Sequence, residues 1–450
     1  MLRKIRIAAA AFFFVLTTLL FLDFTGTLHA WFGWMAKIQF LPALLALNVG
    51  VVAFLVILTL LFGRVYCSVI CPLGVMQDIV SWASGKRRKH RNRFAYSPAL
   101  TWLRRGMLVV FVAAMLAGVG SLLAPYSAYG RIASNLLAPV YALGNNLLAY
   151  IAGRMDSYAF YSVDVWMKSL STLLVAVVTF AVLFVLAWRS GRTYCNTICP
   201  VGTVLGFLAR YSLFKPRFDT SKCNGCKLCA RNCKASCIDP AAHKIDYSRC
   251  VACMDCLENC RQGAITYTLR RRNPDPAPAP QRPAADAAKT PSDASRRRFL
   301  GLAGIVAYSA LRAQEKKVDG GLAVIVDKKI PNRATPVVPP GAQSLRHFNA
   351  HCTGCQLCVS VCPNQVLRPS GKLMTLMQPE MSFERGYCRP ECTKCAEVCP
   401  TGAIRLTDLA GKSSIQIGHA VWIAENCVVN TDGVSCNNYA RHCPAGAIKM

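Results

Sequence analysis

Long apolar runs dominate the first half of the chain, then give way to short polar stretches punctuated by cysteine. Four runs, at 5–22, 41–62, 105–124 and 168–188, are apolar over the roughly twenty helical residues needed to cross about 30 Å of hydrocarbon. Basic residues border them. Arg3, Lys4 and Arg6 start the first, Lys86, Arg87, Arg88, Lys89, Arg91 and Arg93 lie between the second and third, and Arg189 and Arg192 follow the fourth. By the positive-inside rule the N-terminus is inside, the second and fourth runs end inside, and 125–167 lies outside. Within that outer segment, Ile132 to Leu147 is Leu-rich but broken by Pro139 and Gly144, and predicts an amphipathic helix lying at the interface.

An internal repeat organises this half. The twelve residues from Gly63, Gly-Arg-Val-Tyr-Cys-Ser-Val-Ile-Cys-Pro-Leu-Gly, recur from Gly191 with eight positions identical. Each copy follows an inward-going run, so the runs predict two hairpins of the same orientation, related by an axis along the membrane normal. The pairs Cys67/Cys71 and Cys195/Cys199 would then converge at the cytoplasmic membrane edge. Four thiolates there could hold a further metal centre near the headgroups that quinones reach, or form a redox-active or structural thiol set; they are the only candidate catalytic residues.

The second half carries a different periodicity. Cys223, Cys226, Cys229 and Cys233 are spaced two, two and three apart, and Cys250, Cys253, Cys256 and Cys260 repeat the run. In two-cluster ferredoxins the fourth cysteine of each run ligates the other cluster. That rule predicts one [4Fe-4S] cluster on Cys223, Cys226, Cys229 and Cys260, and a second on Cys250, Cys253, Cys256 and Cys233. Cys237 is an extra thiol, read as a bystander in preference to a substitute ligand. A second unit repeats the logic: Cys352, Cys355 and Cys358 with Cys399, and Cys388, Cys392 and Cys395 with Cys362. Cys427, Cys436 and Cys443 begin a third set in which Tyr439 stands where a cysteine would complete the run, which predicts a degenerate or vacant site. Zinc seldom uses evenly spaced four-cysteine runs in pairs, and cysteines two apart rarely bridge one another, so zinc and disulfide readings give way to iron-sulfur clusters.

Between the two units, 271–295 is a Pro/Ala-rich linker, and Ser295-Arg296-Arg297-Arg298-Phe299-Leu300 with the apolar run behind it has the form of a twin-arginine export signal. That segment, 296–313, is either cleaved or retained as a fifth membrane helix, with the residues after it periplasmic. The predicted organisation is an α-helical membrane domain at 1–214 and a cytoplasmic two-cluster ferredoxin domain at 215–270. Past the linker and the signal come an extended connector at 314–345 and a periplasmic ferredoxin domain at 346–450, incomplete at its C-terminus. Both ferredoxin domains should be small, α+β and bacterial-ferredoxin-like, and ligation should supply much of their folding free energy.

Composition agrees. The chain has 24 cysteines and a net charge of +30. Its basic residues sit beside apolar runs without an aromatic-basic platform, so nucleic-acid binding is set aside. The four runs contain no histidine, which argues against a transmembrane haem pair, and no flavin or nucleotide fingerprint stands out. His29 and Asp23, near the outer end of the first run, read as an interfacial spacer or, alternatively, a proton path.

With these motifs placed, the chain resembles a fusion of the NapH and NapG ferredoxin-type proteins of periplasmic nitrate reduction, or of the related pair from methylamine utilisation. The two Cys-x-x-x-Cys-Pro motifs and the cluster pair at 223–260 are similar to NapH; the arginine signal, Pro339-Pro340-Gly341-Ala342 and the clusters from Cys352 are similar to NapG. The resemblance implies a quinol dehydrogenase in the bacterial inner membrane, passing electrons from menaquinol or ubiquinol to a periplasmic reductase or cytochrome. A metal reductase for cofactor assembly resembling the CcoG family, or a non-catalytic electron carrier or redox sensor, are the alternatives.

Overall fold

The computed structural model describes residues 1–86, 93–117, 122–157, 159–165, 168–269, 333, 335–384, 386–417 and 427–441. The predicted linker, the twin-arginine segment, the connector up to residue 332, and Cys443 lie outside the described residues.

Seven helices of ten or more residues are described: α1 Leu2–Leu22, α2 Val49–Phe62, α3 Pro72–Gly85, α4 Thr101–Leu116, α5 Pro125–Arg154, α6 Leu170–Ser190 and α7 Pro200–Ala209. Three of them, α1, α5 and α6, are long and apolar enough to cross a membrane. That differs from the four expected runs. The run at 41–62 is split, because Leu47 takes a left-handed backbone (φ 53°) and the Asn48 side chain caps a new helix by accepting from Val51 N–H. The run at 105–124 yields a helix that ends at Leu116, and Pro125, whose missing N–H suits a first helical turn, opens the next. The segment expected to be a short interfacial helix is instead the second half of α5, a 30-residue helix with a π-helical turn at Ala133–Leu137. All residues of Pro125–Ile132 are buried, whereas none from Ala138 to Arg154 is.

The repeat folds as a repeat. Gly63 and Gly191 end α2 and α6 with positive φ, a short helical turn follows carrying Tyr66 and Cys67 or Tyr194 and Cys195, and Pro72 and Pro200 start α3 and α7. The helix α3 packs along α6, and α7 against α2 and α4, so each copy leans on the other hairpin.

The first cysteine-rich unit pairs strand β1 (Phe214–Phe218) with β4 (Ile265–Leu269), antiparallel and in register from Phe214 opposite Leu269, and β2 (Ile238–Asp239) with β3 (Lys244–Ile245). Phe214 stacks between Phe62 and Tyr267, and Tyr267 OH donates to the Phe62 carbonyl at 3.0 Å, so the sheet docks on the end of α2. The second unit has one hairpin, β5 (Leu367–Pro369) with β6 (Pro379–Met381), and a helical turn at Leu345–His351 that buries Phe348.

These units meet opposite ends of α1. At its start, Arg3 pairs with Asp255 (2.8 Å) and Glu258 of the first unit. Past its end, Lys394 of the second unit donates to the Thr25 carbonyl at 3.1 Å. The 21 residues of α1 rise about 31 Å at 1.5 Å each, the thickness of a bilayer's hydrocarbon.

Candidate redox centres

In three of the four ferredoxin-type loops the backbone repeats an uncommon conformation. The residue before the second cysteine (Gly225, Ala252, Gly354) and the one after it (Lys227, Met254, Gln356) all have positive φ. So does the third residue past each fourth cysteine: Ser236, Gly263, Gln365 and Gly402. Six of these are not glycine, and a left-handed non-glycine residue is disfavoured unless its surroundings compensate. Successive backbone N–H groups in such turns form concave anion-binding nests. A thiolate-ligated iron-sulfur cube is an anion, so the loops suit it. The run at Cys388 and Cys392, with its extra residue, lacks the paired turns around its second cysteine.

In the first unit the fourth cysteine of each run packs beside the other run. Cys223, Cys226, Cys229 and Cys260 line one cavity. Cys250, Cys253 and Cys256 line a second, smaller one, together with Cys233 and also Cys237. In the second unit, burial pushes Cys395 up to about 12, with Cys388, Cys362 and Cys392 adding to the effect. Cys358 is raised by burial and by Cys355, Cys352 and Cys399. Cys395 also acts on Cys358, so the two cysteine sets of this unit lie close together. Among the described residues no group of three or more His, Cys, Asp or Glu is close enough to hold a single metal ion. Cys427 is buried and Cys436 half-buried.

Cys237 is closer to the chemistry than its place in the sequence suggests. Its Sγ lies 3.5 Å from Cys233 Sγ. Hydrogen bonding from Cys237 lowers the Cys233 thiol below its usual range, against burial that raises it.

The four membrane-side cysteines converge. All are buried, and the electrostatic neighbours of Cys199 are Cys195, Cys67 and Cys71. Two fully buried arginines, one per repeat, cross between the copies. Arg192 donates to the Cys67 carbonyl at 2.7 Å and reaches the Sγ of Cys195 at 3.9 Å. Arg64 donates to the Cys195 carbonyl at 3.1 Å and reaches the Sγ of Cys67 at 3.8 Å. Gly74 and Gly202 leave room for them, since a Cβ at Gly202 would meet the Cys195 carbonyl and Arg64, and one at Gly74 would meet the Cys67 carbonyl and Arg192. Both arginines belong to the repeated dodecapeptide, which was the one signal in the sequence that could have singled them out.

Other charged groups gave no such signal. Asp78 on α3 is buried and faces Arg6 (2.9 Å), Arg192 (2.9 Å) and Lys234 (3.6 Å), tying α1, the second repeat and the first cysteine-rich unit together. Lys168 is half-buried beside Cys358 and Cys362, its Nζ donating to the Val359 carbonyl at 3.4 Å. His29 pairs with Asp23 at 3.1 Å, and Asp23 also accepts from the N–H groups of Thr25, Gly26 and Leu28. These bonds outweigh burial and hold the Asp23 carboxyl well below its usual range. They lock the turn after α1.

Comparison with known proteins agrees with this chemistry. A family described as 4Fe-4S binding domain matches residues 44–90 and 172–221, the two repeat copies with their helices, and a 4Fe-4S dicluster domain matches 351–403. The methylamine utilisation ferredoxin-type protein MauM of Methylophilus methylotrophus is 32% identical over 27% of this chain and 54% of its own length. The ferredoxin-type protein NapH of Escherichia coli is 29% identical over 43% of this chain and 55% of its own. An uncharacterised protein of Methanocaldococcus jannaschii, MJ0749, is 24% identical over 48% of this chain and 70% of its own. The chain thus spans about half the length of the named relatives. No solved structure matches. Three regions matched by 4Fe-4S families, three membrane-length helices and these relatives make the chain a membrane-associated iron-sulfur protein related to the ferredoxin-type electron-transfer proteins.

Proposed function

We propose that the chain is a quinol dehydrogenase of the bacterial inner membrane, taking electrons from menaquinol or ubiquinol and delivering them to a periplasmic reductase or cytochrome. The observation that carries this reading is the placement of the two cysteine-rich units at opposite ends of α1, joined by buried thiols and side chains. In this reading the N-terminus and the unit at 215–270 face the cytoplasm, the unit from 346 faces the periplasm, and one polypeptide carries what NapH- and NapG-type proteins divide between them.

The four cysteine sets would each hold one [4Fe-4S] cluster, which when bound supplies one-electron redox chemistry. The chain's own residues do the rest. Paired left-handed turns suit three of the four loops to an anion, the hairpins exclude water from the deeper sets, and Lys168 places a cation beside Cys358 and Cys362. Hydrogen bonds and nearby cations favour the more reduced, more negative state of a cluster.

The test is anaerobic reduction of the purified full chain in detergent by a reduced quinol analogue, followed by absorbance and electron paramagnetic resonance. Bleaching of the cluster absorption with quinol is expected. Clusters that stay oxidised with quinol yet reduce with dithionite would overturn the quinol reading.

A further inference from the structure

One cysteine set of the second unit is walled by a membrane helix. Gly130 of α5 lies so near the Cys355 loop that a Cβ there would sit 2.4 Å from the Cys355 carbonyl oxygen, so only glycine lets the helix approach. One turn earlier on the same helix face is Tyr126, buried against Phe21 with ring centroids 5.6 Å apart. Its electrostatic neighbours are Cys355 and Tyr129. Arg131, fully buried, donates to the Leu122 carbonyl at 3.0 Å and also has Cys355 among its neighbours. In the π-helical turn that follows, Asn135 donates to the Gln356 side-chain oxygen at 2.9 Å. This stretch of α5 lies outside the residues that the 4Fe-4S families match.

Three side-chain donors around this set make no hydrogen bond among the described residues: Tyr126 OH, Thr353 Oγ1 between Cys352 and Cys355, and Gln356 Nε2 directly after Cys355. All three residues are almost wholly buried. The Gln356 amide is also held in one orientation, because its oxygen is taken by Asn135. Leaving a buried donor without an acceptor is costly, and folded proteins satisfy nearly all of them. The sulfurs of an iron-sulfur cluster are acceptors of the kind these donors lack.

We propose that Tyr126, Thr353 and Gln356 donate hydrogen bonds to the cluster on Cys352, Cys355, Cys358 and Cys399, and that these bonds make it the most easily reduced of the four. Reduction adds one electron to the cluster and breaks no bond. The added negative charge is stabilised by donors aimed at the sulfurs and by the cations Arg131 and Lys168, so the potential rises. The other sets are less well provided. Cys237 offers a thiol beside Cys233, and the run from Cys388 lacks the paired left-handed turns. A membrane helix thus sets the potential of a cluster whose ligands all come from the second unit, and electrons entering the chain would collect at its contact with α5. This role rests on the proposed cluster at that set and not on quinol as the donor.

The experiment is an anaerobic redox titration of the purified full chain in detergent, with dithionite and mediator dyes, followed by electron paramagnetic resonance. Cys355→Ser changes the ligand itself, and the signal it alters is the one that belongs to this set. In the wild-type chain that signal should appear at the highest potential. In Tyr126→Phe its midpoint should fall by about 59 mV, a tenfold change in a one-electron equilibrium, while the other signals stay where they were. Thr353→Val should lower the same midpoint, and it decides the matter alone if Tyr126→Phe does not assemble its clusters. Unchanged midpoints in both variants would overturn the proposal, as would a shift in a signal that Cys355→Ser leaves alone, or a wild-type chain in which another cluster is reduced first. No quinol enters the titration, so clusters that shift as expected but that quinol cannot reduce would sink the quinol reading and leave this one standing.

Discussion

Replacing Asp78 with asparagine should destabilise the junction between the membrane helices and the first cysteine-rich unit more than any other single polar change there. Its carboxylate is buried and holds Arg192, Arg6 and Lys234 within 4 Å. Asparagine keeps the size and some hydrogen bonds but removes the charge, leaving one fully buried guanidinium and two mostly buried cations to face one another. Removing one partner of a buried ion pair typically costs about 3–5 kcal/mol. The Arg192 N–H also donates to the Lys234 carbonyl at 2.9 Å, so the loop carrying Cys233 should loosen with it. The assay is denaturant unfolding in micelles, read by tryptophan fluorescence and by loss of cluster absorption. A double-mutant cycle with Arg6→Met should show coupling of roughly 1 kcal/mol or more, because the second change removes a cation left unpaired by the first. An Asp78→Asn protein within about 0.5 kcal/mol of wild type, the range of ordinary surface changes, would refute the argument that this carboxylate is the electrostatic hub.

Three further outcomes can be checked separately. Gly202→Ala puts a methyl group against the Cys195 carbonyl and 2.8 Å from Arg64 Nη2, so it should cost about 1–3 kcal/mol in the same unfolding assay by overpacking. Cys237→Ala removes a thiol donor 3.5 Å from Cys233 Sγ. A bond worth about 1 kcal/mol to the reduced state corresponds to a fall of roughly 40 mV in a one-electron potential, read by redox titration followed by electron paramagnetic resonance; an unchanged potential would restore Cys237 to a bystander. Burial raises the Asp246 carboxyl, but hydrogen bonds from Ser248 and Arg249 outweigh it and hold it below its usual value. Its contribution to stability is therefore present above the unfolded-state pKa and lost as pH falls through the lower folded one. Asp246→Asn should flatten the acid limb of a stability profile, and an unaltered limb would show that the bonds to Ser248 and Arg249 contribute nothing.

What the sequence determined by itself was mostly local. Cysteines two and three residues apart already specify a loop that wraps a cluster, and the repeat from Gly63 to Gly74 and from Gly191 to Gly202 already specifies two matching turns, because both depend on neighbours along the chain. Apolar length was a weaker guide. It found α1 and α6, but a left-handed Leu47 and an Asn48 cap split one run, and Pro125 moved a span to where an interfacial helix was expected. Tertiary structure alone decided which distant groups share a site: the arginine of one repeat with the cysteine loop of the other, and Asp78 with cations from three segments. The physical reason is that a buried charge must find its counter-charge wherever packing brings one, and sequence spacing carries no record of that distance.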